Sequence, residues 1–273
     1  MTEKLSLIAG SGALVTEVIA AAQGRGYALQ VLTSRARGGL RGAQTVPFRL
    51  SDPDSAVAAI RDFGTTMIAM AGGLQLSDVA REGFARFFGA VGGPSLGDGS
   101  LSSLAERLTE ITGARLVGVQ EIAPDLLAPE GLIAGPAPDP ALSDTGAFAL
   151  NLARHAGSLD LGQAVVVAGR RPIGVEDISG TDALLRRVRG YRLLGFVTGG
   201  RSPLVLAKAA KPAQPHYVDL PAIGPVTVVR AKRAGIRLIA VQAGATILIE
   251  RQKLTAAAER AGIPVVGFVA ADD

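Results

Sequence analysis

The stretch Lys208–Gly224 concentrates the chain's most useful chemistry. It reads Lys-Ala-Ala-Lys-Pro-Ala-Gln-Pro-His-Tyr-Val-Asp-Leu-Pro-Ala-Ile-Gly and carries Lys208, Lys211, Gln214, His216 and one acid, Asp219. Pro212, Pro215 and Pro221 rule out a helix and predict an extended loop that turns after Asp219. Lysines meet phosphate as point charges, and a carboxylate can hold Mg²⁺ against substrate phosphates. The residue types therefore suit a metal-bridged phosphate site. A surface loop whose acid pairs with a lysine is the competing reading.

Other candidate residues lie where strands give way to loops. Leu5–Ala9 reads as a buried strand, Gly10-Ser11-Gly12 as a turn, and Ala13–Gln23 as a helix closed by Gly24 and Gly26. Ala28–Thr33 is a second strand, so the start is strand, glycine loop, helix, strand. Backbone N–H groups at such a helix N-terminus can receive phosphate. The dinucleotide fingerprint is incomplete: Val15 takes the third glycine position, and Thr33-Ser34-Arg35 supplies no ribose-binding acid. NAD is therefore disfavoured, and NADP would depend on Arg35 or Arg37.

Thr45–Leu50, the helix Pro53–Phe63 with Asp52 before it, and the strand Thr66–Ala71 continue the alternation. Gly72-Gly73 follows that strand, at the ligand-facing end of a parallel sheet. Gly97-Asp98-Gly99 precedes a helix predicted over Ser100–Ile111, which Asp98 could cap. In the second half Ser143–Ala156 reads as an amphipathic helix with His155 in its last turn, a structural position. Gln163–Ala168 and Pro172–Glu176 form a hairpin. Gly180-Thr181-Asp182 leads into the helix Ala183–Arg189, where Thr181 or Asp182 serves either as cap or as site residue. Helices over Val226–Ala234 and Arg251–Ala261 alternate with strands over Arg237–Val241, Thr246–Ile249 and Pro264–Val269. Gln242-Ala243-Gly244 sits at a strand end.

Lys-Ala-x-Lys-Pro-x-Gln-x-x-x-Val-Asp-Leu-Pro-x-Ile-Gly resembles the signature of the LpxI-type UDP-2,3-diacylglucosamine pyrophosphatases of lipid A synthesis. Ile8–Leu14, Gly180–Arg187 and Arg237–Gly244 extend the resemblance nearly end to end, in the family's order. Glu176 also matches, while several positions depart from the pattern, with no Arg in the family's place after Gly73. Gly73 stands where the family has Asn, Gly99 replaces a second Asp after Asp98, and Ser179 replaces the Glu before Gly-Thr-Asp.

The resemblance implies hydrolysis of UDP-2,3-diacylglucosamine to 2,3-diacylglucosamine 1-phosphate and UMP, with water entering at the β-phosphorus. Asp219 is the expected catalytic and metal-binding acid, with Mg²⁺ or Mn²⁺ as cofactor. Substrate contacts are expected from Gly10, Ser11, Gly12, Ala13, Leu14, Gly72, Asp98, Thr181, Asp182, Lys208, Lys211, Gln214 and Gly244. His216 is not required by the pattern. A site fed by both domains and an apolar groove for the acyl chains complete the expectation.

Composition limits the alternatives. Across 273 residues, 48% are hydrophobic and 19% charged, enough apolar material for two α/β cores. The absence of Cys excludes disulfides and thiolate chemistry, and two His exclude a His-rich zinc site. Aromatics at 4% give no stacking surface for nucleic acid. No apolar run reaches about 18 residues, so no membrane span is expected, and the N-terminus predicts no signal peptide. The expected setting is cytoplasmic. A homodimer and peripheral contact with the inner membrane are compatible with the mild charge of +4.

The expected fold is α/β, with a Rossmann-like parallel sheet over residues 1–132 and a mixed α/β catalytic domain over 133–273. The boundary is placed by the Pro-, Gly- and Ala-rich Pro129–Pro140. Two rivals are a nucleotide-binding regulatory module that has lost catalysis and an NADP oxidoreductase.

Overall fold

The computed structural model describes residues 2–33, 43–48, 53–73, 108–197, 202–212 and 220–270. The chain divides into two compact units between Asp125 and Leu126.

The first unit opens with β1 (Lys4–Ala9), α1 (Leu14–Gly24) and β2 (Ala28–Thr33). Then come β3 (Gln44–Pro47), α2 (Pro53–Phe63), β4 (Met67–Ala71), β5 (Arg115–Val117) and the one-turn helix α3 (Val119–Ile122). The strands form one sheet in the order β3-β2-β1-β4-β5, and every pairing is parallel. That order, with its crossover at β1 and β4, is the doubly wound arrangement. Central strand β1 is covered on both faces, so it reads as a continuous apolar run. Leu5 and Leu7 are fully buried, and Ser6 is the polar exception. Its hydroxyl donates to Gln30 Oε1 at 2.9 Å and meets Thr65 Oγ1 at 2.6 Å, so the buried polar group is satisfied. Helix α1 buries Leu14, Val15, Val18, Ile19 and Ala22, the stripe a 3.6-residue period presents to a sheet.

The second unit holds β6 (Gly131–Ala134), α4 (Pro140–Ser158), β7 (Ala164–Ala168), β8 (Arg171–Val175), α5 (Thr181–Leu193) and β9 (Leu204–Lys208). It continues with β10 (Ala222–Ile223), α6 (Pro225–Ala234), β11 (Ile236–Gln242), β12 (Ile247–Leu248), α7 (Arg251–Ala261) and β13 (Val265–Phe268). Six strands form a mixed sheet in the order β6-β13-β11-β9-β7-β8. Strands β9, β11 and β13 are parallel, while β6, β7 and β8 pair antiparallel. One sheet face, including Val165, Val167, Val205 and Ala207, packs against Ala149, Leu150 and Ala153 of α4. The opposite face, including Val166, Leu204 and Leu206, packs against Leu184, Leu185 and Val188 of α5 and Val228 of α6. Asp139 caps α4 by accepting from Leu142 N–H at 2.7 Å, with Pro140 in the first turn.

The α/β architecture, with a parallel sheet followed by a mixed one, is as expected. Strands β5, β6, β9 and β10 (Ala222–Ile223) depart from the sequence reading. The boundary placed at residues 132 and 133 falls inside β6, which pairs with β13 in the second sheet. Short β5 extends the first sheet where no strand is expected. Lys208, read as the start of a loop, is the last residue of the central strand β9. No helix among the described residues is long and apolar enough to cross a membrane.

Candidate functional site

Strand alternation decides where Lys208 points. Leu204 and Leu206 face α5 and α6, so Lys208, two residues further on, faces the same way. It is 7% exposed. Its ammonium donates to Thr181 Oγ1 at 2.9 Å and to the carbonyl of Ala222 at 3.2 Å. Thr181 in turn donates to Glu176 Oε1 at 2.6 Å. An ammonium can only donate and a carboxylate can only accept, so the hydroxyl proton must point to Glu176. The three groups form one directed chain, from the end of β9 to the loop after β8.

Thr181 is the first residue of α5, and Gly180 is the N-cap at φ +80°, without a side-chain capping bond. The capping role considered for Thr181 is thus not the one it takes. Asp182, one residue on, forms an ion pair with Arg230 of α6. Both partners are substantially exposed, so the pair orients side chains more than it stabilises. Lys211 also has a partner: its ammonium lies 2.6 Å from Asp160, and its side chain is 13% exposed. Gly244, at φ +69°, donates its N–H to Ala128 O at 2.8 Å in the turn after β11.

Just before Thr181, Asp177 accepts from Arg187 at 2.6 Å and from Ser179 N–H at 2.8 Å. The Arg187 hydrogen bond, followed by the Ser179 N–H, lowers the Asp177 carboxyl from its usual 3.8 to about 2. Ser179 therefore contributes its backbone to the turn ahead of α5.

In the first unit the glycine loop is tied to the end of β4. Gly10 N–H donates to Ala71 O at 2.8 Å, and Ser11 and Gly73 exchange two backbone bonds of 2.9 Å each. Ser11 Oγ adds a bond to Gly73 O at 3.0 Å. This closeness explains two glycines. A Cβ on Gly10 would meet Gly73 O at 2.7 Å, and one on Gly72, at φ +86°, would strike Ser11 O and Val15. The N–H groups of Gly10 and Ser11 are thus directed to Ala71 and Gly73. Gly12 (φ +103°), Ala13 and Leu14 form the turn into α1.

Asp98, Gln214, His216 and Asp219 lie outside the described residues. Among the described residues no group of three or more His, Asp or Glu could hold a metal ion. Glu176 is bonded to Thr181 and Asp182 is paired with Arg230.

Asp160, Arg230 and the Ala222 carbonyl are absent from the sequence-derived set, while Glu176 is among the positions that match the family pattern. Glu176 carries a signal, as an acid five residues before a Thr at a helix start. The others are joined to their partners by the fold alone.

The chain matches two family models in succession: the LpxI N-terminal domain over residues 4–126 and the LpxI C-terminal domain over residues 129–266. It belongs to the LpxI family. The division between the two family domains falls within a few residues of the division between the two compact units. A relative from Caulobacter vibrioides, UDP-2,3-diacylglucosamine pyrophosphatase LpxI, is 34% identical over 285 residues, spanning 97% of each chain. The sequence-based identification as an LpxI-type pyrophosphatase is borne out by these matches. Among solved structures, a GalE-like L-threonine dehydrogenase from Cupriavidus necator is 12% identical with a TM-score of 0.31, covering 92% of this chain and 88% of its own. A UDP-glucose 4-epimerase from Thermus thermophilus is 17% identical with a TM-score of 0.29, covering 97% of this chain and 86% of its own. Likeness at that level carries no argument about fold or chemistry.

Proposed function

We propose that the protein hydrolyses the pyrophosphate bond of UDP-2,3-diacylglucosamine, releasing 2,3-diacylglucosamine 1-phosphate and UMP for lipid A synthesis. The observation that carries this is the end-to-end relation to the Caulobacter LpxI. The buried Lys208 gives the reading its chemistry. Two of its three N–H donors go to Thr181 and Ala222. The third suits a non-bridging phosphate oxygen, where an ammonium in a water-poor site offsets charge that builds during P–O cleavage. Thr181 and Glu176 hold that ammonium in place and keep its charge from being wholly uncompensated.

Asp219 is the proposed principal acid. Mg²⁺ or Mn²⁺ at Asp219 would supply Lewis-acid stabilisation of the phosphates. Lys211 is held against Asp160 by an ion pair. The test is turnover of UDP-2,3-diacylglucosamine by the purified protein, with EDTA and with Mg²⁺ restored. In ¹⁸O-labelled water the label is expected in the sugar 1-phosphate.

A non-catalytic nucleotide-binding module is the second reading, favoured by Gly73, Gly99 and Ser179 in place of polar residues of the family pattern. A UDP-sugar that raises the melting temperature without being cleaved would select it.

A further inference from the structure

The C-terminal end of α5 carries a cluster of exposed apolar side chains apart from the Lys208–Thr181–Glu176 chain. Leu193, Leu194 and Phe196 are 77%, 71% and 70% exposed, three large apolar side chains within four residues. The Phe196 ring stands edge-on to Tyr191, with centroids 6.5 Å apart, so it is held rather than loose. Cations surround this end. Arg189 is one helical turn from Leu193 on the same face of α5. The Arg192 guanidinium fills the space that a Cβ on Gly235 would take, which brings the ends of α5 and α6 together. Lys232 reaches from the last turn of α6 to Ala261 O at 2.6 Å, bringing in the end of α7. Arg233 and Arg260 lie in those same last turns. Glu259 is the acid next to Arg260.

Cations at helix C-terminal ends offset the helix dipoles. That effect does not call for three apolar side chains in water. Apolar groups ringed by Lys and Arg match an anionic lipid surface, where the apolar groups enter the headgroup boundary and the cations meet lipid phosphates. A second copy of the same face would set cation against cation, so charge complementarity favours lipid. We infer that the Leu193–Phe196 face, with Arg189, Arg192, Lys232, Arg233 and Arg260, docks the protein on an anionic bilayer. The inference rests on the exposure and charge of this face and stands apart from the hydrolase reading.

The full-length protein would be sedimented, without substrate, with phosphatidylcholine vesicles and with vesicles containing about 30% phosphatidylglycerol. Binding is expected to the anionic vesicles and at least about tenfold weaker to the neutral ones, at roughly fivefold per cation at the surface. Leu193→Ser with Phe196→Ser should weaken binding about tenfold or more, with an unchanged melting temperature. Arg189→Glu with Arg233→Glu should abolish the preference for anionic lipid. Wild-type protein that stays in solution with anionic vesicles, or variants that bind as well as wild type, would overturn the inference. So would a wild-type dimer that the Leu193 and Phe196 changes turn into a monomer, since a second copy would then cover the face.

Discussion

Lys208 Nζ lies 2.9 Å from Thr181 Oγ1, and Thr181 directs its own proton to Glu176 at 2.6 Å. One hydroxyl thus joins the buried end of a central strand to a carboxylate 32 residues earlier in the chain. Thr181→Val keeps the shape and removes the hydroxyl. It should destabilise the second unit by about 1–3 kcal/mol, because Lys208 loses a buried acceptor. It should also lower kcat at least about tenfold by loosening the ammonium. Thr181→Ser should restore both, as kinetics and chemical denaturation would show. Equal kcat for the Val variant and wild type would remove this chain of groups from the site.

Gly72 predicts a steric limit. At φ +86°, with Ser11 O and Val15 in the place of a Cβ, Gly72→Ala should cost more than about 2 kcal/mol. Thermal unfolding of the variant should shift down by several degrees, and an unshifted melting temperature would show that the loop relaxes freely.

Gly73 predicts the opposite. A Cβ there meets only Ser11 Oγ, at 3.1 Å, and that hydroxyl can rotate. Gly73→Asn should therefore fold normally and place an amide beside Ser11. If the polar groups of the family pattern aid turnover, this variant should be faster than wild type. A slower variant would show that this loop works differently without the amide.

The ion pair between Asp177 and Arg187 predicts a pH dependence. The folded carboxyl titrates at about 2 and the unfolded one near 3.8, so the folded state binds its proton less readily. The stabilisation is present above pH 3.8 and is lost as pH falls toward 2. Asp177→Asn should flatten the stability curve in that window. Because Asp177 is 46% exposed, salt should diminish the difference. Identical acid profiles for both proteins would refute the shift.

How far the sequence can be read follows from the range of the interactions. Strand β1, helix α1 and the Gly24 and Gly26 stop are local patterns, and they appear in place. Strand β9 escapes a sequence reading although Leu204–Lys208 is wholly buried, because a short apolar run without alternation cannot be told from a buried helix segment by periodicity, and it runs straight into the proline-rich stretch. Strand β6 hides among prolines and glycines. Within the site, Thr181, Asp182 and Lys208 stand out by type and motif. Glu176 is legible too, five residues before Thr181, whereas Arg230 and the Ala222 carbonyl arrive through tertiary packing, with no fixed spacing to read. Lys211 is expected at phosphate from its motif, and its bond to Asp160 depends on the turn after α4.

The most direct test is to incubate the purified protein with UDP-2,3-diacylglucosamine and Mg²⁺ and to measure UMP and 2,3-diacylglucosamine 1-phosphate together. Equal release of both is predicted, with loss of release in EDTA and a fall of at least about 100-fold in Asp219→Ala. A folded wild-type protein that binds the UDP-sugar and releases neither product would contradict the hydrolase assignment.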